Sequence, residues 1–316
     1  MYNIGVDIGG TDTKIGLVDL NGNIIDKLVL KTDTISGFDK VINDIKNTVD
    51  NLINKNDLSI SDIETIGFGV PSFISKNGRV TCVNLGWIDI EFVPKINNIF
   101  KGVKTYAEND ATVAAVAEYR FGSMKNHNDV ALMITLGTGV GGGIIINGKP
   151  FTGANNMASE IGHIVIGENY YDCNCKTNGC FETFCSATAI IKYAQKLINE
   201  GRDSIISNNI NSLEDITAKM VFDAYREGDK VSKEVILRFK KYLAIGIGSL
   251  INTLDPSIIA IGGGVSKADD IILDGLCDMV RKNVLYKEHD FGEITIATLG
   301  NDAGIIGAAF LGEGRI

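Results

Sequence analysis

An α/β fold built from two repeated halves is what this 316-residue sequence predicts, on three observations. Strand-like runs of β-branched residues alternate with amphipathic helical stretches along the chain, the pattern of α/β proteins. Two glycine turns stand in matching places. Val6-Asp7-Ile8-Gly9-Gly10-Thr11 leads into a strand ending at Asn21-Gly22, and Ile134-Thr135-Leu136-Gly137-Thr138-Gly139 into one ending at Asn147-Gly148. The glycine turns lie 128 residues apart and the Asn-Gly pairs 126, a period that points to a duplicated domain rather than a solenoid. The length is also sufficient for two substantial cores. A cleft between two such domains is the expected place for a ligand.

The elements follow in order. Ile4–Ile8 and Lys14–Asp19 read as strands around the Gly-Gly-Thr turn, and Ile24–Lys31 follows the Asn21-Gly22 turn. Phe38–Ile53 has helical periodicity, with Phe38, Val41, Ile42, Ile45, Val49, Leu52 and Ile53 on one side. Ile63–Val70 and Val103–Ala107 read as buried strands, and Asp110–Phe121 as an alanine-rich helix. The second half opens with a strand at Val130–Leu136, the glycine turn and a strand at Gly143–Ile146. Helices are predicted over Ala187–Asn199, Leu213–Glu227 and Ser232–Leu254. Ile258–Ile261 is a strand ending in Gly262-Gly263-Gly264, followed by a helix over Asp269–Asn283, a strand at Ile294–Thr298 and a helix at Ala303–Leu311.

A net charge of −9 argues against a nucleic-acid-binding surface, which needs a basic face. Hydrophobic residues at 45% and charged residues at 22% form an ordinary soluble balance, and no apolar run reaches the length of a membrane span. The first strand begins at once after Met1, leaving no room for a signal peptide. Six cysteines, three of them clustered, fit a reducing cytosol better than a disulfide framework, so a cytoplasmic protein is expected. Cys82, Cys185 and Cys277 are most simply small core residues.

Four groups of residues carry chemistry. His163, Cys173, Cys175 and Cys180 fall within 18 residues and form a four-ligand set for tetrahedral zinc, flanked by Glu160 and Glu182. Two cysteines one residue apart are not the common C-x₂-C pair, and buried or redox-active thiols are the competing reading. With all four positions filled by protein, zinc there is structural and shapes the site. The turns Gly9-Gly10-Thr11 and Gly137-Thr138-Gly139 let backbone N–H groups approach an anion, and the threonine hydroxyls add donors. Taken singly, each also reads as an ordinary hairpin turn. Neither is a Walker loop, since no Gly-Lys-Ser/Thr follows, and the turn at Gly137 leads to a strand rather than the helix of a dinucleotide-binding fingerprint. Asp7 can hold Mg²⁺ near bound phosphates, or cap the turn, and Lys14 can reach a phosphate oxygen or be solvated. Glu108-Asn109-Asp110-Ala111 stands where a strand meets a helix, the end at which α/β proteins place their sites. Asp110 there can accept a proton from a substrate hydroxyl attacking a γ-phosphate, or serve only as a favourable charge at a helix N-terminus.

Together Asp7-Ile8-Gly9-Gly10-Thr11 with Lys14, Asn109-Asp110, Leu136–Gly143, Glu160-x-Gly162-His163 and the cysteine cluster resemble the ROK family of sugar kinases, over essentially the whole chain and in order. The Glu-x-Gly-His and cysteine elements are specific to that family, while the glycine turns belong to a wider superfamily. The resemblance implies an actin-like ATPase/sugar kinase fold with two duplicated α/β domains around a central cleft. Residues 1–117, completed by the C-terminal helix 302–316, would form a small domain, and 118–301 a large one carrying the zinc loop. It implies Asp110 as catalytic base on the sugar 6-hydroxyl, with Asn109, Glu160, His163 and Glu182 contacting sugar hydroxyls. His163 would place one ring nitrogen on zinc and the other toward the sugar. Gly69-Val70-Pro71-Ser72 and Asn84-Leu85-Gly86-Trp87 resemble the remaining sugar loops, and Gly262-Gly263-Gly264 the adenosine-binding turn.

Asn84-Leu85-Gly86-Trp87, Ser186-Ala187-Thr188 and Gly300-Asn301-Asp302-Ala303-Gly304 look most like bacterial glucokinases of the Gram-positive type. Two departures stand out: the family commonly has glycine where this chain has Lys176 and where it has Ser159. The implied reaction is Mg-ATP-dependent phosphorylation of a hexose, foremost D-glucose, in glycolysis, with ATP and the hexose as partners. An N-acetylmannosamine or N-acetylglucosamine kinase and a sugar-sensing regulator are the alternatives. The family favours dimers, and no nucleic-acid or membrane partner is expected.

Overall fold

A computed structural model describes residues 1–127 and 129–312. The chain divides into two compact units: Met1–Met133 with Gly143–Ser159 and Thr298–Ile316, and Ile134–Gly142 with Glu160–Ala297. Residues 313–316 of the C-terminal segment assigned to the small domain lie outside the described residues.

The first unit begins with β1 (Tyr2–Ile8), β2 (Asp12–Val18) and β3 (Ile24–Lys31), two antiparallel hairpins in succession. Helix α1 (Phe38–Lys55) follows and buries the seven apolar side chains at its helical spacing, from Phe38 to Ile53. Next come β4 (Ile63–Val70), β5 (Val80–Cys82), β6 (Trp87–Ile90), α2 (Phe92–Ile99), β7 (Lys104–Asn109) and α3 (Asp110–Phe121). The first sheet has the order β3-β2-β1-β4-β7, with β4 parallel to β1 and β7 parallel to β4. One face of it packs an apolar cluster of Ile4, Val6, Phe68 and Val70 with α1, Trp87 and Phe92. Each such side chain contributes about 1.5–3 kcal/mol on full burial.

After β8 (Val130–Leu136), β9 (Val140–Ile146) and the short β10 (Lys149–Pro150), the second unit carries α4 (Glu182–Cys185), α5 (Ala187–Asn199), α6 (Ala218–Arg226) and the 25-residue α7 (Lys230–Leu254). Then come β11 (Ile258–Gly262), α8 (Asp269–Leu273), α9 (Leu276–Arg281) and β12 (Glu293–Ile296). The second sheet runs β10-β9-β8-β11-β12, the same arrangement as the first: an Asn-Gly hairpin on one side and crossover strands on the other. The duplication read from the two turns is thus a duplication of topology. Helix α10 (Ala303–Ala309) returns to the first sheet and the first unit. It lies so close that a Cβ at Gly5 or Gly67 would run into the carbonyl oxygens of Ile305 and Ala308.

Two helices differ from the sequence reading. The stretch Leu213–Glu227 is a 3-10 turn at Leu213–Asp215, opened by a Ser212/Asp215 capping box, and then α6 with Thr217 as N-cap. The stretch Asp269–Asn283 breaks into α8 and α9 because Gly275 takes φ 63°, a left-handed conformation that helical periodicity does not reveal. The β5–β6 hairpin and α4 went unread, since three- and four-residue elements carry almost no periodic signal, and so did α2, whose eight residues make only about two turns. Among the described residues no helix is long and apolar enough to cross a membrane.

Candidate active site

In the first unit the C-terminal ends of the parallel strands β1, β4 and β7 line up. Asp7 is in register with Gly69, Gly69 with Glu108, and Val70 with Asn109. This row sets Asp7, the Gly69–Ser72 segment and Asn109-Asp110 along one edge of one sheet, the edge where open α/β sheets bind ligands. Asp7 is paired across the β1–β2 hairpin with Lys14, whose Nζ lies 3.4 Å from Oδ2. Burial pushes the Asp7 carboxyl above its ordinary pKa, and the Lys14 ammonium offsets part of that rise. The turn itself closes with Gly9 N–H donating to the Asp12 carbonyl at 3.0 Å, and Gly10 and Thr11 are exposed at its tip.

Asn109 is the N-cap of α3: its side-chain oxygen accepts from Ala111 N at 2.9 Å and Thr112 N at 3.2 Å. Its amide nitrogen reaches the Ser72 carbonyl at 3.5 Å. Ser72 Oγ donates to the Thr81 carbonyl at 2.7 Å, and Cys82 Sγ to the Pro71 carbonyl at 3.5 Å. The Gly69–Ser72 segment is therefore tied to Asn109 and to β5, the strand just before Asn84. Asp110 is the first residue of α3 and solvent-exposed, its Oδ1 accepting from Ala111 N at 2.8 Å.

The second unit holds the other groups. Gly137 N–H donates to the Gly139 carbonyl at 3.0 Å, and the start of α5 clamps this turn, Ala187 N–H on the Gly137 carbonyl at 2.8 Å and Thr188 Oγ1 on that of Thr138 at 2.7 Å. Gly263, at φ 87°, lies against Leu136: a Cβ there would come within 2.5 Å of its carbonyl oxygen. The turn Gly262-Gly263-Gly264 is thus beside Gly137-Thr138-Gly139. Glu182 Oε2 accepts from Val140 N at 3.1 Å, and its Oε1 lies 3.5 Å from Cys173 Sγ. One carboxylate therefore links the glycine turn to the thiol cluster. Glu160 is exposed and precedes the short turn Ile161–His163.

His163, Cys173, Cys175 and Cys180 converge, their ligand atoms all within 4.8 Å of one another. His163 Nδ1 lies 3.7 Å from Cys173 Sγ, and Cys175 Sγ 3.5 Å from Cys180 Sγ. Zinc–ligand bonds of about 2.0–2.3 Å give a tetrahedron with edges of about 3.3–3.8 Å; these two separations match such edges, and the donor types and convergence of the set are consistent with structural zinc. Backbone bonds from Ile166 N to the Gly179 carbonyl and from Phe181 N to that of Ile164 hold the loop ends together.

Sequence reasoning gave no role to two residues, Gly304 beside Asp7 and Glu118 bonded to the chain's path to that glycine. Gly304 lies so near that a Cβ there would be 2.6 Å from Asp7 Cγ. Glu118, fully buried in α3, binds the segment leading to Gly304. A glutamate in an apolar helical stretch was the available signal for the latter.

The chain belongs to the ROK family, whose model matches residues 3–315. It is 38% identical to the glucokinase of Halalkalibacterium halodurans over 98% of this chain and 94% of that protein. Identity to the glucokinase of Thermotoga maritima is 33%, over 99% and 98% of the two chains. The crystal structure of a ROK family glucokinase from Streptomyces griseus in complex with glucose and AMPPNP superposes with a TM-score of 0.79 at 30% identity, covering 98% of this chain and 99% of that one. The fold is the actin-like ATPase fold of these kinases.

Proposed function

We propose that this chain, a sugar kinase, transfers the γ-phosphoryl group of Mg-ATP to the 6-hydroxyl of D-glucose, with Asp110 as general base. The O6–H proton passes to the Asp110 carboxylate while O6 bonds to the γ-phosphorus and the bond to the bridging oxygen of ADP breaks. The observation that carries the reading is the row of Asp7, Gly69 and Asn109-Asp110 at one strand edge, in a chain whose full-length relatives are named glucokinases.

The turns Gly9-Gly10-Thr11 and Gly137-Thr138-Gly139 receive the phosphates, with the N–H groups of Gly9 and Gly137 closing the turns, and Gly262, Gly263 and Gly264 receive the adenosine. Asp7 and Lys14 hold the Mg²⁺–phosphate side, where the bound ion neutralises developing charge. Asn109, Glu160, His163 and Glu182, with Gly69, Pro71, Ser72 and Asn84, bind the sugar. His163 presents Nδ1 to zinc together with Cys173, Cys175 and Cys180, leaving Nε2 for a sugar hydroxyl. As functional domains we take 1–117 with 302–316, and 118–301, the division that follows the duplication; compactness groups 118–133 and 143–159 with the first unit. A cytoplasmic homodimer feeding glycolysis completes the proposal.

A coupled assay of ADP release with glucose, mannose, N-acetylglucosamine and N-acetylmannosamine tests the substrate. Turnover on glucose well above the others is expected. Turnover mainly on an acetylated sugar would retain the mechanism and overturn the glucose assignment.

A further inference from the structure

Glu118 is fully buried and takes no part in the chemistry above. Its carboxylate receives four hydrogen bonds. Oε1 accepts from Leu299 N at 2.7 Å; Oε2 accepts from Ser123 N at 2.8 Å, Ser123 Oγ at 3.0 Å and Thr298 Oγ1 at 3.2 Å. A backbone donor points at each oxygen, so both oxygens must accept. A carboxylate meets that demand, whereas an amide can serve only one of the two N–H groups. Burying a carboxylate is costly unless donors replace its water, so this arrangement holds the donors as firmly as the acid.

The donors at Thr298 and Leu299 lie 180 and 181 residues further along the chain. They open the segment Gly300–Asp302 that leads into α10, where Gly304 backs onto the Asp7 carboxyl. The same segment has a second tie, Lys27 Nζ to Asp302 Oδ1 at 2.8 Å, but that pair is half-exposed and weak. From this geometry we propose that Glu118 is a positioning residue: it fixes the backbone at Thr298-Leu299 and so seats Gly304 against Asp7, aiming that carboxylate at the Mg-nucleotide. The proposal rests on the reading of Asp7 as the Mg²⁺–phosphate residue.

Calorimetric titration with AMPPNP and Mg²⁺ tests it on wild type, Glu118→Gln, Asp7→Asn and the double variant, with glucose titrated separately. Glu118→Gln is expected to weaken Mg-AMPPNP about tenfold and leave glucose affinity within about twofold, since one backbone N–H loses its acceptor near the nucleotide side only. In the Asp7→Asn background the same substitution should add less than about twofold, because the residue it acts through is already gone. Equal effects in both backgrounds, or unchanged nucleotide affinity in Glu118→Gln beside a weakened Asp7→Asn, would overturn the positioning role alone. Unchanged affinity in Asp7→Asn would overturn the reading of Asp7, and this proposal with it. If Glu118→Gln does not fold, Thr298→Val removes only the hydroxyl bond; a smaller loss, absent in the Asp7→Asn background, is expected, and no loss overturns the role.

Discussion

Gly304→Ala is a one-methyl perturbation whose consequence follows from the packing. An added Cβ would stand 2.6 Å from both Cγ and Oδ2 of Asp7 and 3.0 Å from Oδ1, where ordinary contact begins near 3.4 Å. The Asp7 carboxyl must therefore retreat by about 0.8 Å. A displacement of about 1 Å at a positioned group costs on the order of 10²-fold in rate, so a loss of about 10- to 100-fold in kcat/KM for Mg-ATP is expected. Stability responds differently. Alanine in a helix is favoured over glycine by about 1 kcal/mol, while overpacking costs about 1–3 kcal/mol, so the net loss is about 0–2 kcal/mol. Initial rates across Mg-ATP at saturating glucose, set beside thermal unfolding, separate the two effects. A folded Gly304→Ala enzyme with wild-type kcat/KM for Mg-ATP would refute the assignment of Asp7 to the phosphate side.

Two further outcomes are expected. Asp7 must be ionised to hold Mg²⁺, and burial raises its pKa while Lys14 lowers it; the KM for Mg-ATP should thus climb as pH falls through a pKa above the ordinary carboxylate value, and Lys14→Met should move that climb to higher pH. A shift to lower pH would contradict the pairing. Purified protein should carry about one zinc per chain, and Cys173→Ser should lose it with a clear drop in melting temperature, since structural zinc contributes about 10 kcal/mol or more to small folds. Metal analysis finding no zinc in wild type purified without chelators would remove the metal from the account.

Much of this architecture was legible because local patterns were strong. The seven buried positions of α1 were those of its helical period, and the two glycine turns marked two sheets of the same topology. The four proposed metal ligands were found by residue type and spacing, and they converge. What stayed hidden depends on contacts far apart in sequence. The family resemblance put the C-terminal helix with the first domain, but the contact of Gly304 with Asp7 that this return creates is encoded by nothing near either residue. The compact units are interleaved along the chain, with one excursion into the second unit, Ile134–Gly142, before residue 160. The two departures from the family pattern acquire a physical meaning: Lys176 has φ 69° and Ser159 φ 71°, left-handed conformations that glycine adopts freely. Glycine is common there because the backbone demands it, and this chain keeps the backbone at a cost of about 1–2 kcal/mol per residue.

The central claim is that Asp110 takes the proton from glucose O6 as phosphate transfers. The most direct test compares glucose-dependent ADP formation by wild type and Asp110→Asn, with glucose binding to both followed by calorimetry. The account predicts a fall of about 10²–10⁴-fold in kcat with glucose binding still measurable. Near-normal kcat in Asp110→Asn would contradict it.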